Sequence, residues 1–343
     1  MPCTDSHESL YSVLTARFIR PWEKKLMIGR FFKSGPGILI LTPLVILAGA
    51  GAMVGYQIHT VTHPPRVLDA VKPGDLLLRA DEVQFQSTDG IALSGWLIHG
   101  ERDAPVLILC HDLGQSKAVF LDPSVGLQRS GYNLLLMDFR GHGASGGTGS
   151  TLGVEERYDV LGAIDLLRTR RDLSSDRIGV WGIGMGAYAG LLAAAERKEV
   201  VALALDSLYP DVQGYLNQVL FKGLPPATSN VTSYASVFYA PYFQWKISKG
   251  TTARTLPQMS DRNFMFVIST SKPESANTGK QLYASLPEGG QADKNLLELR
   301  ESGLSEIYDE DRRKYSEAIS SFFGTYLRVH TEPVPGAIQV RVR

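Results

Sequence analysis

Apolar and polar residues alternate along this chain in three regimes. From Gly35 to Ile58 there are 24 residues without a charge, "GPGILILTPLVILAGAGAMVGYQI". A helix of that length spans roughly 36 Å, enough to cross a hydrocarbon core. Next comes a short stretch with Pro and Gly punctuation, "THPPRV" and "KPGD". From about residue 76 onward, short apolar runs alternate with segments of helical period.

The short runs predict strands. "EVQFQ" and "IALSGWLIHG" flank "STDG", whose Asp89-Gly90 pair predicts a hairpin turn. "APVLILCHD" (104–112), "YNLLLMDFR" (132–140), "DRIGVWGIG" (176–184), "VVALALDS" (200–207), "NFMFVIST" (263–270) and "NLLELRES" (295–302) are continuous apolar runs or close to it. They suit strands covered on both faces. Between them, "VEERYDVLGAIDLLRTR" and "EDRRKYSEAISSFFGTYL" carry helical spacing. The expected fold is therefore α/β: a mostly parallel sheet with helices on both faces and an antiparallel hairpin at one edge. Residues 208–262 interrupt the alternation and are rich in Tyr, Phe and Trp. A segment of that length predicts a helical lid, its aromatics either packing it down or walling an apolar ligand pocket.

The organisation read from these patterns is a basic N-terminal tail (1–34), a transmembrane anchor (35–58), a linker (59–75), the α/β domain (76–327) and a C-terminal tail (328–343). Arg17, Arg20, Lys24, Lys25, Arg30 and Lys33 precede the apolar run, against Arg66 and Lys72 in the flank after it. That bias predicts a cytoplasmic N-terminus and an extracytoplasmic domain. A cleaved signal peptide is the competing reading, since "AGAGA" offers small-residue cleavage positions. Gly51 and Gly55 form a GxxxG pair that would let two anchors pack.

Composition narrows the chemistry. Thirty-five basic and 35 acidic residues cancel, which removes the electrostatic footprint of a nucleic-acid binder. Cys3 and Cys110 form no disulfide framework, and the seven histidines show no metal-ligand spacing, so neither metal nor cofactor is expected.

The segments "STDGIALSGWLI", "LILCHDLGQSK", "GYNLLLMDFRGHGASGG" and "RIGVWGIGMGAYAGLLAAA" occur in the order of the alpha/beta-hydrolase superfamily, and the chain resembles its membrane-associated branch with a GFSMG-type nucleophile elbow. That resemblance implies a catalytic serine at residue 184, but the residue there is Gly184. It implies a histidine after the last core strand, where the aligned position is Leu304, and no histidine occurs between residues 143 and 329. His330 lies beyond the last helix. It implies an acid after the preceding strand, where the chain reads "ISTSKPES". Glu274 is offset and suits a helix start, and Asp206 ends an earlier strand. The family's oxyanion hole would use the backbone amides of Leu113 and Met185, following His111-Asp112, and is expected to remain open to an anion or carbonyl oxygen. His111 and His142 match positions that shape the pocket. Asp138 and Arg140 are expected to brace the loop, and Cys110 to be a buried thiol. Ser207 is a displaced-nucleophile candidate with no base assigned to it.

Three readings follow: a hydrolase fold without hydrolysis that binds a ligand or protein partner, a weak esterase, thioesterase or peptidase using His111 or His142 to activate water, and a lipid or acyl-chain carrier.

Overall fold

A computed structural model describes residues 35–220, 251–286, 294–305, 307 and 309–327. The chain divides into two units, Met1–Tyr56 and Gln57–Arg343. Within the first, the described residues are helical, and nearly all the side chains from Leu41 to Tyr56 are exposed. They belong to helix α1, Gly35–Thr62, which continues through Pro43. Residues Leu41–Thr62 are long and apolar enough to cross a membrane. The basic tail expected before α1 lies outside the described residues.

The second unit is built on eight strands: β1 Ala80–Gln86, β2 Ala92–Ile98, β3 Pro105–Cys110, β4 Asn133–Met137, β5 Ser174–Ile183, β6 Val200–Asp206, β7 Asn263–Ser269 and β8 Lys294–Leu299. Their spatial order is β1-β2-β4-β3-β5-β6-β7-β8. The β1–β2 and β2–β4 pairs are antiparallel and the rest parallel. Gly90, the second residue of the predicted turn, has φ 94°, which glycine adopts without Cβ strain.

Helices α2 (Leu121–Arg129), α3 (Glu156–Arg168), α4 (Met185–Glu196), α5 (Val212–Leu220), α6 (Pro273–Ala284) and α7 (Asp309–Tyr326) connect or flank the strands. β3, β4 and the inner half of β5 are wholly buried, as parallel strands sandwiched by helices must be. α4 is buried from Met185 to Ala194, so it reads as apolar on every face.

Three expected strand ends move. β3, β4 and β8 end at Cys110, Met137 and Leu299, two or three residues before the expected runs do. The residues beyond them leave the ladder because their side chains and amides serve the loops described below. Residues 59–75, read from the sequence as a linker, dock on the domain. Thr62 is buried, its carbonyl accepts from the Ser150 N–H at 2.7 Å, and the Arg66 guanidinium donates to the Gly143 carbonyl at 3.0 Å and the Gly147 carbonyl at 2.6 Å. Of the expected lid, α5 and a single turn at Thr252–Thr255 are described. Phe221, Tyr234, Phe238, Tyr239, Tyr242, Phe243 and Trp245 lie outside the described residues, as does the C-terminal tail with His330.

Candidate functional site

The site forms where β5 turns into α4. Gly184 sits in that turn with φ 51° and ψ −111°, a conformation an L-residue holds only under strain. Its N–H donates to the Asp206 carbonyl at 2.9 Å, tying the turn to the end of β6. Gly186 follows, and a Cβ there would overlap the Cys110 carbonyl, so the helix can approach β3 only without a side chain at that residue.

Across the turn stands Asp112. Its Oδ1 accepts hydrogen bonds from the Leu113 N–H at 2.7 Å and the Met185 N–H at 2.8 Å. A Cβ on Gly184 would overlap the Asp112 carboxylate. The expectation of an open oxyanion hole is therefore corrected: its two amides are present and converge, but the chain's own carboxylate fills it. Two amide donors and the N-terminus of α4 favour negative charge at that spot.

The two histidines beside the site are committed to the backbone. His111 is fully buried; its Nε2 accepts from the Phe139 N–H at 3.1 Å and its Nδ1 donates to the Asp112 carbonyl at 2.7 Å. Burial, reinforced by the adjacent His142, lowers its pKa to about 3. His142 accepts from the Gly114 N–H at 3.0 Å and donates to the Arg140 carbonyl at 2.9 Å, and burial lowers its pKa too. Each ring joins two loops, and neither lines the cavity at Gly184.

The bracing expected of Asp138 and Arg140 is present. Asp138 accepts from the Lys117 N–H at 2.8 Å and the Ala144 N–H at 3.0 Å and pairs with the buried Lys117 ammonium, which also meets Asp69 at 2.6 Å. Arg140 forms a fork with Asp159 and a second with Asp89. Cys110 is buried, and loss of hydration pushes its thiol pKa far up.

A cavity of about 400 Å³ opens over Gly184, lined among the described residues by Asp112, Ser207, Tyr209, Tyr215, Lys272 and Gly303, with others. Leu304, the aligned histidine position, is 8% exposed and packs in the core, while Gly303 and Ser305 on either side of it face the cavity. Glu274 lies in the first turn of α6 after Pro273, as a helix-start carboxylate.

Asp206, by contrast, is central. It is fully buried; its Oδ2 accepts from the Gly303 N–H and the Tyr315 hydroxyl, each at 2.8 Å, and Tyr315 in turn accepts from the Trp181 Nε1–H at 3.0 Å. Burial raises its pKa to about 6 against the pull of these donors. Its Oδ1 accepts from the Ser207 hydroxyl at 2.9 Å, and Ser207 has φ 54° and also bonds the Ser302 hydroxyl at 2.8 Å. Ser207 thus does have a carboxylate partner, its own neighbour in sequence. What hid the pair is the turn after β6, which swings Ser207 back over Asp206. The role of Asp112 had a visible signal: an aspartate where the family's "HG" pattern has glycine.

Residues 79–231 match the X-Pro dipeptidyl-peptidase (S15) family. Among curated relatives, an uncharacterized protein YfhR of Escherichia coli O157:H7 is 30% identical over 148 residues, covering 41% of this chain and 51% of that protein. The alpha/beta hydrolase domain-containing protein WAV2 of Arabidopsis thaliana is 27% identical over 176 residues, covering 49% and 56%. The chain thus spans about half the length of these curated relatives. In structure it resembles the esterase Pf2001 of Pyrococcus furiosus, with a TM-score of 0.60, 24% identity and coverage of 78% of this chain and 98% of that one. The sheet order and the likeness to that esterase define the class of fold: an alpha/beta-hydrolase fold.

Proposed function

We propose that this protein is a ligand-binding member of the alpha/beta-hydrolase superfamily that does not hydrolyse esters, anchored in a membrane by α1 with its domain on the extracytoplasmic side. The observation that carries the reading is the Asp112 carboxylate seated on the Leu113 and Met185 amides, over a turn whose residue 184 has no side chain. Loss of a nucleophile costs a hydrolase of this kind roughly a millionfold in turnover, and the thousandfold or so that remains comes largely from the oxyanion hole. Here the carboxylate competes for that hole as well. His111 and His142 add no base, because both nitrogens of each ring are engaged by the backbone. The membrane assignment is supported by the length and apolarity of Leu41–Thr62 and by the basic residues before the helix.

A second reading is favoured by one observation and by the esterase among the structural neighbours. Ser207 faces the cavity at positive φ with its hydroxyl on a carboxylate whose pKa is about 6. In that reading Ser207 attacks an acyl carbon and Asp206 takes its proton. Exposure of the purified full chain to a fluorophosphonate, followed by intact mass measurement, separates the two. The binding reading expects an unchanged mass, and a phosphonyl adduct mapped to Ser207 would overturn it.

A further inference from the structure

We propose that the groove between residues 67–71 and the turn after β3 receives an acyl chain from the bilayer. This rests on the reading of α1 as a membrane anchor. Val67, Leu68, Ala70 and Val71 line the groove from the segment after α1, and Ala118 and Val119 line it from the turn Lys117–Phe120, around a volume of about 420 Å³.

The segment presents its faces in the reverse of the order that water selects. Its charged groups point inward: the Arg66 guanidinium sits on the Gly143 and Gly147 carbonyls, and the Asp69 carboxylate pairs with the ammonium of Lys117, a residue 2% exposed. Its apolar residues point outward, with Val67 47%, Leu68 76% and Val71 44% exposed. Outside α1, the other large apolar side chains exposed among the described residues are Leu76, Leu77 and Val219. Burying charge costs free energy and exposing leucine to water gains none, so this pattern fits a face turned to an apolar phase.

The bilayer is the apolar phase within reach. The domain holds the last turn of α1, where Ile58 and Thr62 are buried. Val67 follows Thr62 by five residues, so it lies at most about 18 Å away even along an extended chain. The groove also adjoins the cavity over Gly184. Gln115 and Ser305 line both, and the Gln115 Nε2–H donates to the Ser305 hydroxyl at 3.0 Å, so the same lipid lies beside the candidate ligand site.

The test uses the full chain in phosphatidylcholine nanodiscs doped with a phosphatidylcholine that carries a diazirine on one acyl chain. After illumination, trypsin cuts at Arg66 and separates α1 from the groove segment, and adducts are mapped by mass spectrometry. Adducts are expected in α1 and, separately, in residues 67–71 or 118–119. Leu68→Asn changes an exposed side chain, so it is expected to remain folded and to lower groove labelling at least about threefold, with α1 labelling unchanged. Adducts in α1 alone would overturn the groove assignment and leave the anchor standing. Adducts in the groove alone would support the groove and overturn the anchor, and adducts in neither would overturn both. Groove labelling that Leu68→Asn leaves unchanged would also overturn the assignment. An unlabelled groove with two chains per disc, counted by mass photometry, would give the groove to a second copy instead.

Discussion

The carboxylate of Asp112 lies over Gly184, in the space that any side chain at residue 184 would need, and it does so by accepting hydrogen bonds from the two amides on either side of the site. The glycine in the turn and the carboxylate on its amides are thus one arrangement: a glycine at 184 leaves the space, and the carboxylate fills it while accepting from both amides.

Restoring the serine alone is therefore expected to fail. Gly184→Ser brings a Cβ into the Asp112 carboxylate and places an L-residue at φ 51°, which together cost about 1–3 kcal/mol. Adding Asp112→Gly is expected to recover part of that loss, leaving the backbone strain. Chemical denaturation of the two variants beside wild type checks the order, and a Gly184→Ser protein as stable as wild type would contradict the clash.

The buried histidines set a pH dependence. His111 has a folded pKa of about 3 against 6.5 in an exposed chain, so the unfolded state binds more protons between those values. Its contribution to stability is full above about pH 6.5 and is lost as pH falls toward 3. His111→Gln, which cannot titrate, is expected to be less stable at neutral pH but to show a flatter loss on acidification. Thermal unfolding at pH 7, 6, 5 and 4, which starts above that window and runs down through most of it, reads the slope directly.

Tyr315 joins Trp181 to Asp206 beneath the cavity floor. Removing its hydroxyl leaves the indole N–H without this acceptor and takes a donor from a fully buried carboxylate. Tyr315→Phe is expected to cost about 1–3 kcal/mol and to raise the Asp206 pKa further. The expected signature is a stability deficit relative to wild type that narrows as pH falls below about 6 and Asp206 is protonated.

Arg66 holds the loop after β4 through several backbone carbonyls, two of them at Gly143 and Gly147. Arg66→Ala is expected to destabilise the domain by about 1–2 kcal/mol and to speed amide exchange across residues 141–147. Exchange confined to α1 with that loop unchanged would show that the docking contributes little.

How legible this was in the sequence follows from the kind of force involved. Strands β3 to β7 were legible because burial on both faces writes them as continuous apolar runs, and the hairpin because Asp89-Gly90 supplies its turn. The docking of residues 59–75 was not, since "THPPRV" has the composition of a spacer and Arg66 finds its acceptors more than 70 residues away. Nor was the filled oxyanion hole. Backbone amides have no sequence signature, and only the fold brings Met185 to Asp112, 73 positions apart. Leu304 shows the limit of alignment by position: its side chain turns into the core while its neighbours Gly303 and Ser305 face the cavity.

The central claim, that Asp112 and Gly184 together leave no hydrolytic machinery at the elbow, is tested most directly by turnover. The full chain, purified in detergent, would be assayed on short and long acyl esters beside Ser207→Ala, Asp112→Asn and a buffer blank. The account predicts that wild type and both variants match the blank on every ester. Turnover by wild type that disappears in Ser207→Ala, or in Asp112→Asn, would contradict it and identify the group that has taken over the chemistry.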